Sequence, residues 1–428
     1  MRVLIIGGGG REHALAVAVS RSPLLEKLYC APGNAGIAQV AQCVSIGVEE
    51  LDAICRFVDE ERINLVVIGP ERPLIMGLAD RLRAQGKLVY GPNAAAARLE
   101  GSKAFTSQLL SKYGLSAKEF TVFDDADAAK NYLKEYGAPV VVKADGDALG
   151  KGVKVCSSVA EAEQFVDDVM VNRLFGSAGD RVIIEQRLVG EECTIKVFTD
   201  SDTIVPMVPS QDHKRIGEKD TGANTGGMGC YSPVPSVDAS LQQQIIDDIV
   251  APTIYAMADE GAPYSGTLYA GCILTAGGPE LIEYNCRFGD PEAQVVIPRL
   301  ESDLLEVLTA TAEGKLEQVS LQWSGLVAAC VVAASAGYPD KYEKGRLITG
   351  LDEAATDDLV YIYHAGTTCE NGAYYTSGGR VLGVTALGSD YDEAFDRAYA
   401  AMGKIHFEGM YFRRDIGWRA RERVATRL

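Results

Sequence analysis

Apolar runs and helical periods alternate along the first hundred residues of the chain. The short apolar runs predict strands at residues 3–6, 27–30 and 65–68. Helices are predicted from Glu12 and over residues 51–60. Strands that alternate with helices are typical of an open parallel sheet, which binds ligands beyond the carboxyl ends of its strands. We therefore predict an N-terminal domain, residues 1–101, with an open parallel sheet and one ligand cleft.

The pattern becomes mixed after Ser102. A helix is predicted over residues 125–136, and residues 276–278 predict a hairpin turn. Strands are predicted at residues 140–143, 153–156, 182–186, 194–199, 203–208, 268–275, 280–285, 327–333, 360–364 and 381–386, and a last helix at 392–404. We therefore predict a multidomain chain of α/β and α+β architecture, with a central domain at 102–325 and a small C-terminal α+β domain at 326–428.

Composition narrows the classes of partner. The 59 acidic and 41 basic side chains give a net charge of -18, which repels a nucleic-acid backbone and favours small molecules. The ten cysteines include no Cys-x-x-Cys pair, so a zinc ribbon and a thioredoxin-type motif are excluded and reduced thiols are expected. The N-terminal apolar run is too short for a signal peptide, and the longest one falls short of the roughly 18 residues of a membrane span. We expect a cytoplasmic protein.

The first glycine-rich turn, residues 7–10, follows a predicted strand and opens a helix. Free backbone N–H groups and the helix dipole favour a phosphate or carboxylate at such a place. A dinucleotide fingerprint needs a third glycine where this chain has Glu12 or His13, so a nicotinamide or flavin enzyme is disfavoured. The alternative is that these glycines only make a tight turn.

A second glycine-rich loop, residues 144–152, follows the predicted strand that ends at Lys143. Backbone N–H groups and lysine ammonium groups in such a loop suit a polyphosphate, although the Walker A spacing is absent. The alternative is a flexible hairpin connection with a solvated lysine.

Side chains alternate along the predicted strand that contains Glu283. A period of two places Glu283, Asn285 and Arg287 on one side and the residues between them, with Ile282, in the core. A carboxylate and an amide oxygen suit Mg²⁺, and a guanidinium group beside them can clamp a phosphoryl group. These three side chains are typical of a kinase or a ligase. The alternative interpretation is that they form the solvated face of a strand whose other face is buried.

A third glycine-rich stretch, residues 221–229, follows the polar run 211–215. This composition suggests a substrate lid, with a surface loop that binds nothing as the alternative. No spacing indicates a Ser-His-Asp or Cys-His arrangement, and His364 lies in a predicted strand, where we interpret it as structural.

Several segments carry a family resemblance. In chain order they are residues 7–14 (GGGGREHA), 32–36 (PGNAG), 69–74 (GPERPL), 101–105 (GSKAF), 143–153, 210–229, 283–292 (EYNCRFGDPE), 378–382 (GGRVL) and 415–419 (DIGWR). Together they strongly resemble the phosphoribosylamine–glycine ligase family, and they span nearly the whole chain. The resemblance implies a central ATP-grasp domain with a lid subdomain at about residues 121–190, and a monomer. It also implies a step of purine biosynthesis, in which ATP activates glycine as glycyl phosphate and 5-phosphoribosylamine attacks it.

The resemblance also implies the site residues. ATP would contact Lys103, Lys143, Gly146, Gly150, Lys151, Gly152, Glu185, Gln186, Leu188 and Glu191. The other substrates would contact Gly9, Gly10, Arg11, Glu12, Asn34, Glu71, Asp212, Lys214, Asn224, Thr225, Gly226, Arg287 and Asp290. Glu283 and Asn285 would coordinate Mg²⁺ or Mn²⁺, with Arg287 and Lys143 as catalytic residues.

The chain departs from the family pattern at three positions. Gly8 stands where the family usually has Asn, Arg72 where a small or apolar residue is common, and Asp147 where an apolar one is. Another ATP-grasp enzyme, such as a purine-pathway carboxylase subunit, is an alternative with the same nucleotide site. A nucleotide-binding regulatory module without turnover is another, although it predicts the loss of Lys143, Glu283 or Arg287, which are all present.

Overall fold

The structure is a computed structural model that describes residues 1–116, 118–146 and 152–426. The first strands are β1 (Arg2–Gly7), β2 (Lys27–Pro32), β3 (Gln42–Cys43), β4 (Leu65–Ile68) and β5 (Leu88–Tyr90). They form the predicted open parallel sheet, in the order β3-β2-β1-β4-β5. The helices of this part are α1 (Gly10–Ser20), α2 (Leu51–Glu60), α3 (Glu71–Ile75), α4 (Leu78–Ala84), α5 (Ala94–Gly101) and α6 (Lys103–Lys112).

Strand β1 is apolar and buried over residues 3–6 because helices cover both faces of the sheet. Ile5 packs in a core with residues of α1, and Leu4 packs in a second core with residues of α2. The turns that follow the central strands are joined by hydrogen bonds. Gly33 N donates to Gly7 O and Gly69 N donates to Ile6 O, each at 3.0 Å. The carboxyl edge of the sheet therefore gathers the three predicted turns.

The next part is a small sheet with its own core. Its elements are β6 (Phe120–Phe123), α7 (Ala126–Tyr136), β7 (Val140–Ala144), β8 (Val153–Cys156), α8 (Val159–Val166) and β9 (Val182–Gln186). The strands pair in antiparallel fashion in the order β6-β9-β7-β8. Asp125 caps α7 by accepting a hydrogen bond from Ala128 N at 2.7 Å, which fixes the start of that helix.

The central sheet has the order β11-β10-β16-β17. The elements of this part are β10 (Glu191–Thr199), β11 (Ile204–Pro206), β12 (Gln211–Asp212), β13 (Arg215–Gly217), β14 (Thr221–Asn224), β15 (Gly229–Ser232), α9 (Ala239–Ile245), α10 (Ala251–Asp259), β16 (Gly266–Thr275), β17 (Gly278–Asn285), α11 (Ala293–Val296) and α12 (Leu304–Glu313). The predicted hairpin joins β16 to β17. Part of the stretch predicted as a loop at 221–229 is instead strand, because β14 pairs with β13.

Strand β17 contains a bulge that the period of two does not show. Gly271 pairs with Glu283 but Cys272 pairs with Leu281, so one extra residue is inserted at Ile282. Leu281 takes the place in the core and Ile282 turns to the cleft. The prediction that Ile282 faces the core is therefore wrong, whereas Tyr284 is buried as expected.

The last part is built on β18 (Val327–Ala334), all of whose residues are buried. The other elements are β19 (Leu347–Ile348), α13 (Leu351–Ala354), β20 (Val360–His364), β21 (Thr367–Glu370), β22 (Ala373–Thr376), β23 (Arg380–Gly388), α14 (Tyr391–Met402) and α15 (Trp418–Ala425). The main sheet has the order β12-β15-β18-β23-β20, so two strands from before residue 325 complete it. The domain boundaries stay a prediction.

Within the described ranges, no helix combines the length and the apolar character that crossing a membrane requires. The ten cysteine thiols are free.

A buried charge network joins the end of the chain to the hairpin of β13 and β14. Arg413 is fully buried and its Nη1 donates to Asp220 Oδ1 at 2.9 Å. Arg419 Nη2 lies 2.6 Å from the second oxygen of Asp220. Gly417 N donates to His213 Nε2 at 2.9 Å, which leaves the proton of the ring on Nδ1. The hairpin is therefore held by residues almost two hundred positions later in the chain.

We expect Arg413→Met to lower the free energy of unfolding by about 3 kcal/mol, because it leaves the carboxylates of Asp220 and Asp415 without their buried partner. The matched control is Arg414→Met at the exposed neighbour, which we expect to change stability by less than about 0.5 kcal/mol. Denaturant unfolding of the three proteins measures both effects. Equal stability of the two variants would show that the network does not stabilise the fold.

Candidate active site

A cavity of about 1080 Å³ lies where the parts of the chain meet. It is lined by Arg11 after β1, Val141 on β7, Glu283 on β17 and Arg380 on β23. Its volume suits a large small-molecule ligand or more than one ligand at once.

Two lysines share one buried carboxylate at the inner wall of the cavity. Glu185 Oε2 lies 2.7 Å from Lys143 Nζ and 2.8 Å from Lys118 Nζ. Burial acts to raise the pKa of Glu185, but the two ammonium groups outweigh it and lower that pKa to about 2. Lys143 Nζ also donates to the carbonyl of Ile282 at 3.1 Å, on the bulge of β17. The bulge therefore fixes an ammonium group that polyphosphate could bind.

The loop after β7 is anchored where it begins. Asp145 Oδ1 accepts hydrogen bonds from Ser102 Oγ at 3.0 Å and from Ala104 N at 3.1 Å, at the start of α6. Lys103 Nζ donates to Gly146 O at 3.3 Å. Lys103 and the start of the loop are thus neighbours, as the resemblance implied. The predicted residues Gly150 and Lys151, and Asp147, lie outside the described residues.

Glu283 and Asn285 present oxygen atoms to the same cavity. Burial acts to raise the pKa of Glu283, but Lys214, Lys103 and Lys143 outweigh it and hold that pKa at about 2, so the group is ionised. Lys214 Nζ lies 3.3 Å from Glu283 Oε1. An ionised carboxylate and an amide oxygen are hard donors that fit Mg²⁺ or Mn²⁺. In the described parts of the chain no set of three His, Cys, Asp or Glu side chains could hold a metal, so ligand oxygens would have to complete the shell.

Arg287 is clamped between two carboxylates. Its Nε donates to Glu71 Oε2 at 3.0 Å and its Nη2 donates to Glu100 Oε1 at 2.7 Å. Glu100 also accepts from Cys286 N at 2.7 Å. Burial raises the pKa of Glu100 to about 7, against the pull of Arg287. The N-terminal part of the chain thus orients a guanidinium group beside the proposed metal ligands.

The start of α1 is already occupied by carboxylates of the chain itself. Glu12 Oε2 accepts from Gly9 N at 2.7 Å, and Asp290 Oδ2 accepts from Arg11 N at 3.2 Å. A phosphate expected there would meet both negative charges. The side chain of Asn34 is also engaged internally, because it donates to Gly8 O at 2.9 Å. Two carboxylates of the chain therefore lie at this edge of the cleft, and the anion site expected at the turn stays a prediction.

The departures from the family pattern have local explanations. A Cβ atom at Gly8 would lie 2.5 Å from Gly33 O, so the glycine permits a close approach of two turns. Arg72 lies on the surface, with Nε 3.5 Å from Glu49 Oε1. Neither position removes a residue that lines the cavity.

The polar stretch before β15 contributes a further wall. Thr225 N and Oγ1 donate to Lys214 O at 2.7 and 2.8 Å, which holds Lys214 towards Glu283. A Cβ atom at Gly227, where φ is +114°, would lie 2.4 Å from Pro291, so only glycine allows this approach.

The structure gathers most of the predicted site residues. Those that line the cavity are Arg11, Glu71, Lys103, Lys143, Gly146, Gly152, Glu185, Gln186, Leu188, Glu191, Asp212, Lys214, Asn224, Thr225, Gly226, Glu283, Asn285, Arg287 and Asp290. It does not bring Gly9, Gly10, Glu12 and Asn34 to the lining. Sequence reasoning missed Lys118, Glu100, Ile282, Tyr338 and Arg380, which also line it. Of these five residues, only Arg380 lies in a motif noted in the sequence, GGRVL, from which it could have been predicted.

Comparison with known proteins identifies the class. Models of phosphoribosylglycinamide synthetase match the N domain at residues 1–100, the ATP-grasp (A) domain at 101–293 and the C domain at 328–419. The phosphoribosylamine–glycine ligase of Caldanaerobacter subterraneus subsp. tengcongensis is 46% identical over 416 residues, 97% of this chain and 99% of the relative. That of Agrobacterium fabrum is 49% identical over 420 residues, 98% of this chain and 99% of the relative.

A solved structure agrees with these matches. The crystal structure of phosphoribosylamine–glycine ligase from Thermotoga maritima has a TM-score of 0.85 and 32% identity, and the alignment covers 97% of this chain and 100% of that one. Two antiparallel sheets on either side of a lysine-lined cavity, in the matched region, define an ATP-grasp protein. The chain belongs to the phosphoribosylglycinamide synthetase family.

We expect Lys143→Ala to weaken ATP binding by about ten- to a hundredfold, because a buried charge-assisted contact to the phosphates is lost. The matched control is Lys134→Ala on the exposed face of α7, which we expect to bind ATP as the wild type does. Calorimetric titration with a non-hydrolysable ATP analogue measures both. Unchanged affinity in Lys143→Ala would contradict the assignment of this lysine.

Proposed function

We propose that this chain catalyses the ATP-dependent ligation of glycine to 5-phosphoribosylamine, which gives glycinamide ribonucleotide, ADP and phosphate in purine biosynthesis. The main observation behind this proposal is that one cavity contains lysines suited to a polyphosphate, hard oxygen ligands and an oriented guanidinium group. Membership of the synthetase family, whose relatives are named phosphoribosylamine–glycine ligase, supports the choice of substrates.

The reaction divides into two steps. First, a carboxylate oxygen of glycine attacks the γ-phosphorus of ATP, the bond to ADP breaks, and glycyl phosphate forms. The amine nitrogen of phosphoribosylamine then attacks the carbonyl carbon of glycyl phosphate. The C–O bond to phosphate breaks and the amine nitrogen loses a proton. Phosphorylation is needed because a free carboxylate has no good leaving group, so no protein nucleophile is required.

The lysines and the inner wall would bind ATP. Lys143 and Lys103 would neutralise phosphate oxygens, and their fixed partners Glu185 and Gly146 hold the ammonium groups in place before ATP arrives. Gln186, Leu188 and Glu191 line the continuation of the same wall and would contact the adenosine. This preorganisation lowers the entropy lost in reaching the reactive geometry.

Glu283 and Asn285 would hold a divalent cation, Mg²⁺ or Mn²⁺, which would supply positive charge against the phosphates. Arg287 would stabilise the phosphoryl group in transfer. Its clamp between Glu71 and Glu100 prevents the guanidinium from turning away. One N–H group of Nη1 donates to Phe288 O at 3.3 Å, and the other is left to donate to a phosphoryl oxygen. Arg287 therefore contributes orientation as well as charge.

The proposal includes small-molecule substrates only, a monomeric chain and a cytoplasmic reaction. The net charge of -18 supports the first part, because it repels a nucleic-acid backbone. Sedimentation equilibrium that gave the mass of a dimer would contradict the monomer.

The deciding experiment measures ADP release with Mg²⁺ and ATP, with glycine, and with or without phosphoribosylamine generated in place from ribose 5-phosphate and ammonia. We expect release that requires both substrates. Release with bicarbonate or with other carboxylates would move the assignment to another ATP-grasp reaction. The absence of ADP under all conditions would favour a nucleotide-binding module without turnover.

We expect Glu283→Gln to lower kcat/KM for the metal–ATP complex by at least about tenfold, because an amide replaces the ionised metal ligand. The control is Glu280→Gln on the same strand, which does not line the cavity and should behave as the wild type. Steady-state ADP release at several Mg²⁺ concentrations measures the effect. Wild-type kinetics in Glu283→Gln would refute the metal site.

A further inference from the structure

Arg380 has no part in the chemistry described so far, although it lines the cavity. It begins β23 and stands in the GGRVL motif, at residues 378–382. The phosphoryl chemistry uses Arg287 and the lysines, so the position of Arg380 at the cleft needs another explanation.

The guanidinium group of Arg380 is anchored through one nitrogen. Its Nη1 donates to Gly226 O at 2.6 Å and to Asp290 O at 2.7 Å. Nε and Nη2 donate to no residue in the described part of the chain, and neither atom is enclosed. Arginine has five N–H groups, so three stay available on a rigidly held fork. A planar fork of this kind recognises a phosphate or carboxylate through two parallel hydrogen bonds.

Tyr338 adds a second donor beside Arg380. Its hydroxyl oxygen accepts a hydrogen bond from Gly226 N at 3.0 Å, which leaves its own proton free to donate. A Cβ atom at Gly379 would lie 2.4 Å from the ring of Tyr338, so this glycine allows the ring to pack directly before Arg380. Gly226 therefore holds both donors, one through its carbonyl and one through its N–H group.

At the start of α1 the carboxylates of Glu12 and Asp290 accept from the backbone N–H groups of Gly9 and Arg11, so a phosphate there would meet two negative charges. Arg11 is also bound to Glu12, with 2.6 Å between Nε and Oε1. The contacts of Arg380 are different, because its strongest anchors are neutral carbonyl groups and its nearest carboxylate atom, on Asp290, lies 3.5 Å away. The positive charge of Arg380 is thus less neutralised by a carboxylate of the chain than that of Arg11, and it can attract an anionic ligand.

We propose that Arg380 and Tyr338 form the subsite for the phosphomonoester group of the acceptor substrate. The inference deepens the ligase function proposed above and depends on it. The dianion accepts from Nε and Nη2 of Arg380 and from the hydroxyl of Tyr338. The sugar then extends from this wall towards the acidic edge around Asp290.

Calorimetric titration tests the subsite without turnover. Ribose 5-phosphate is the probe, since it carries the phosphomonoester and lacks only the amine, and ribose is its matched control. We expect ribose 5-phosphate to bind the wild type and Arg380→Gln to bind it at least about tenfold more weakly. Arg346→Gln, an arginine paired on the surface with Glu343 and Glu408, should bind as the wild type does.

Three titration results would overturn the proposal. Arg380→Gln could bind the probe as tightly as the wild type. Ribose could bind the wild type as tightly as ribose 5-phosphate does. This result needs no variant and would show that the phosphate is not recognised. Inorganic phosphate could bind as tightly as the probe, which would assign the site to released phosphate instead.

Kinetics separates failure of the subsite from failure of the function. We expect Arg380→Gln to raise KM for phosphoribosylamine by about tenfold or more and to leave KM for ATP within about twofold. The wild type could release ADP only with both substrates while KM for phosphoribosylamine is unchanged in Arg380→Gln. That result would support the ligase function and refute the subsite. If the wild type needs no phosphoribosylamine, the proposed function itself fails.

Arg380→Gln also loses its bonds to Gly226 and Asp290, so thermal unfolding is compared with that of the wild type. Tyr338→Phe is the second variant and keeps those bonds. We expect it to weaken ribose 5-phosphate binding by about threefold or more, because one donor is removed. Wild-type affinity in Tyr338→Phe, together with unchanged binding by Arg380→Gln, would refute the assignment.

Discussion

Charge buried inside the cleft must be paired, and this requirement organises the structure around it. An unpaired ion in a poorly solvated site is too costly to retain, so the buried charged groups at the centre of the chemistry have partners of opposite sign. Glu185 lies between two lysines, Arg287 lies between two glutamates, and Glu283 has Lys214. Because Lys143 and Glu100 are also hydrogen-bonded to the backbone, the reactive groups are oriented before any substrate enters.

The partners come from distant parts of the chain, so the cleft cannot be divided among independent domains. Arg287 follows β17, but its clamp comes from α3 and α5. Asp290 touches the start of α1 through Arg11 and the start of β23 through Arg380. Two strands of the central part complete the last sheet. The sheets that carry Val141, Glu283 and Arg380 therefore supply walls of the cleft. Ion pairs of Arg287 and Asp290 join these walls to one another and to the N-terminal part.

The sequence predicted the buried elements well because their signal is local. Strands β4, β8, β9 and β20 begin and end where their apolar runs do, at Leu65–Ile68, Val153–Cys156, Val182–Gln186 and Val360–His364. Most of the site residues that the resemblance implied line the cavity as well. The bulge at Ile282 escaped prediction because an inserted residue leaves the alternation of the sequence unchanged on either side of it.

Partners that are distant in sequence also escaped prediction. Nothing near Glu100 in the sequence indicates that it will meet Arg287, and nothing near Lys118 indicates Glu185. The contact of the first glycine-rich turn with the carboxylate of Asp290 could not be predicted, because Arg11 and Asp290 lie 279 residues apart along the chain. Glu12 offered a local hint, since an acid three residues into a helix is a frequent capping partner of the backbone.

The network around Asp220 has a consequence for the synthesis of the protein. Asp220 and Arg413 are separated by 193 positions, so the ribosome must add that many residues after the hairpin before its buried partner exists. At typical elongation rates this interval lasts about 10 to 40 s. The N-terminal sheet can fold during that time, whereas the wall that carries Lys214 and Thr225 stays without its anchors. The cleft is therefore completed late, when the last turns of the chain leave the exit tunnel and dock.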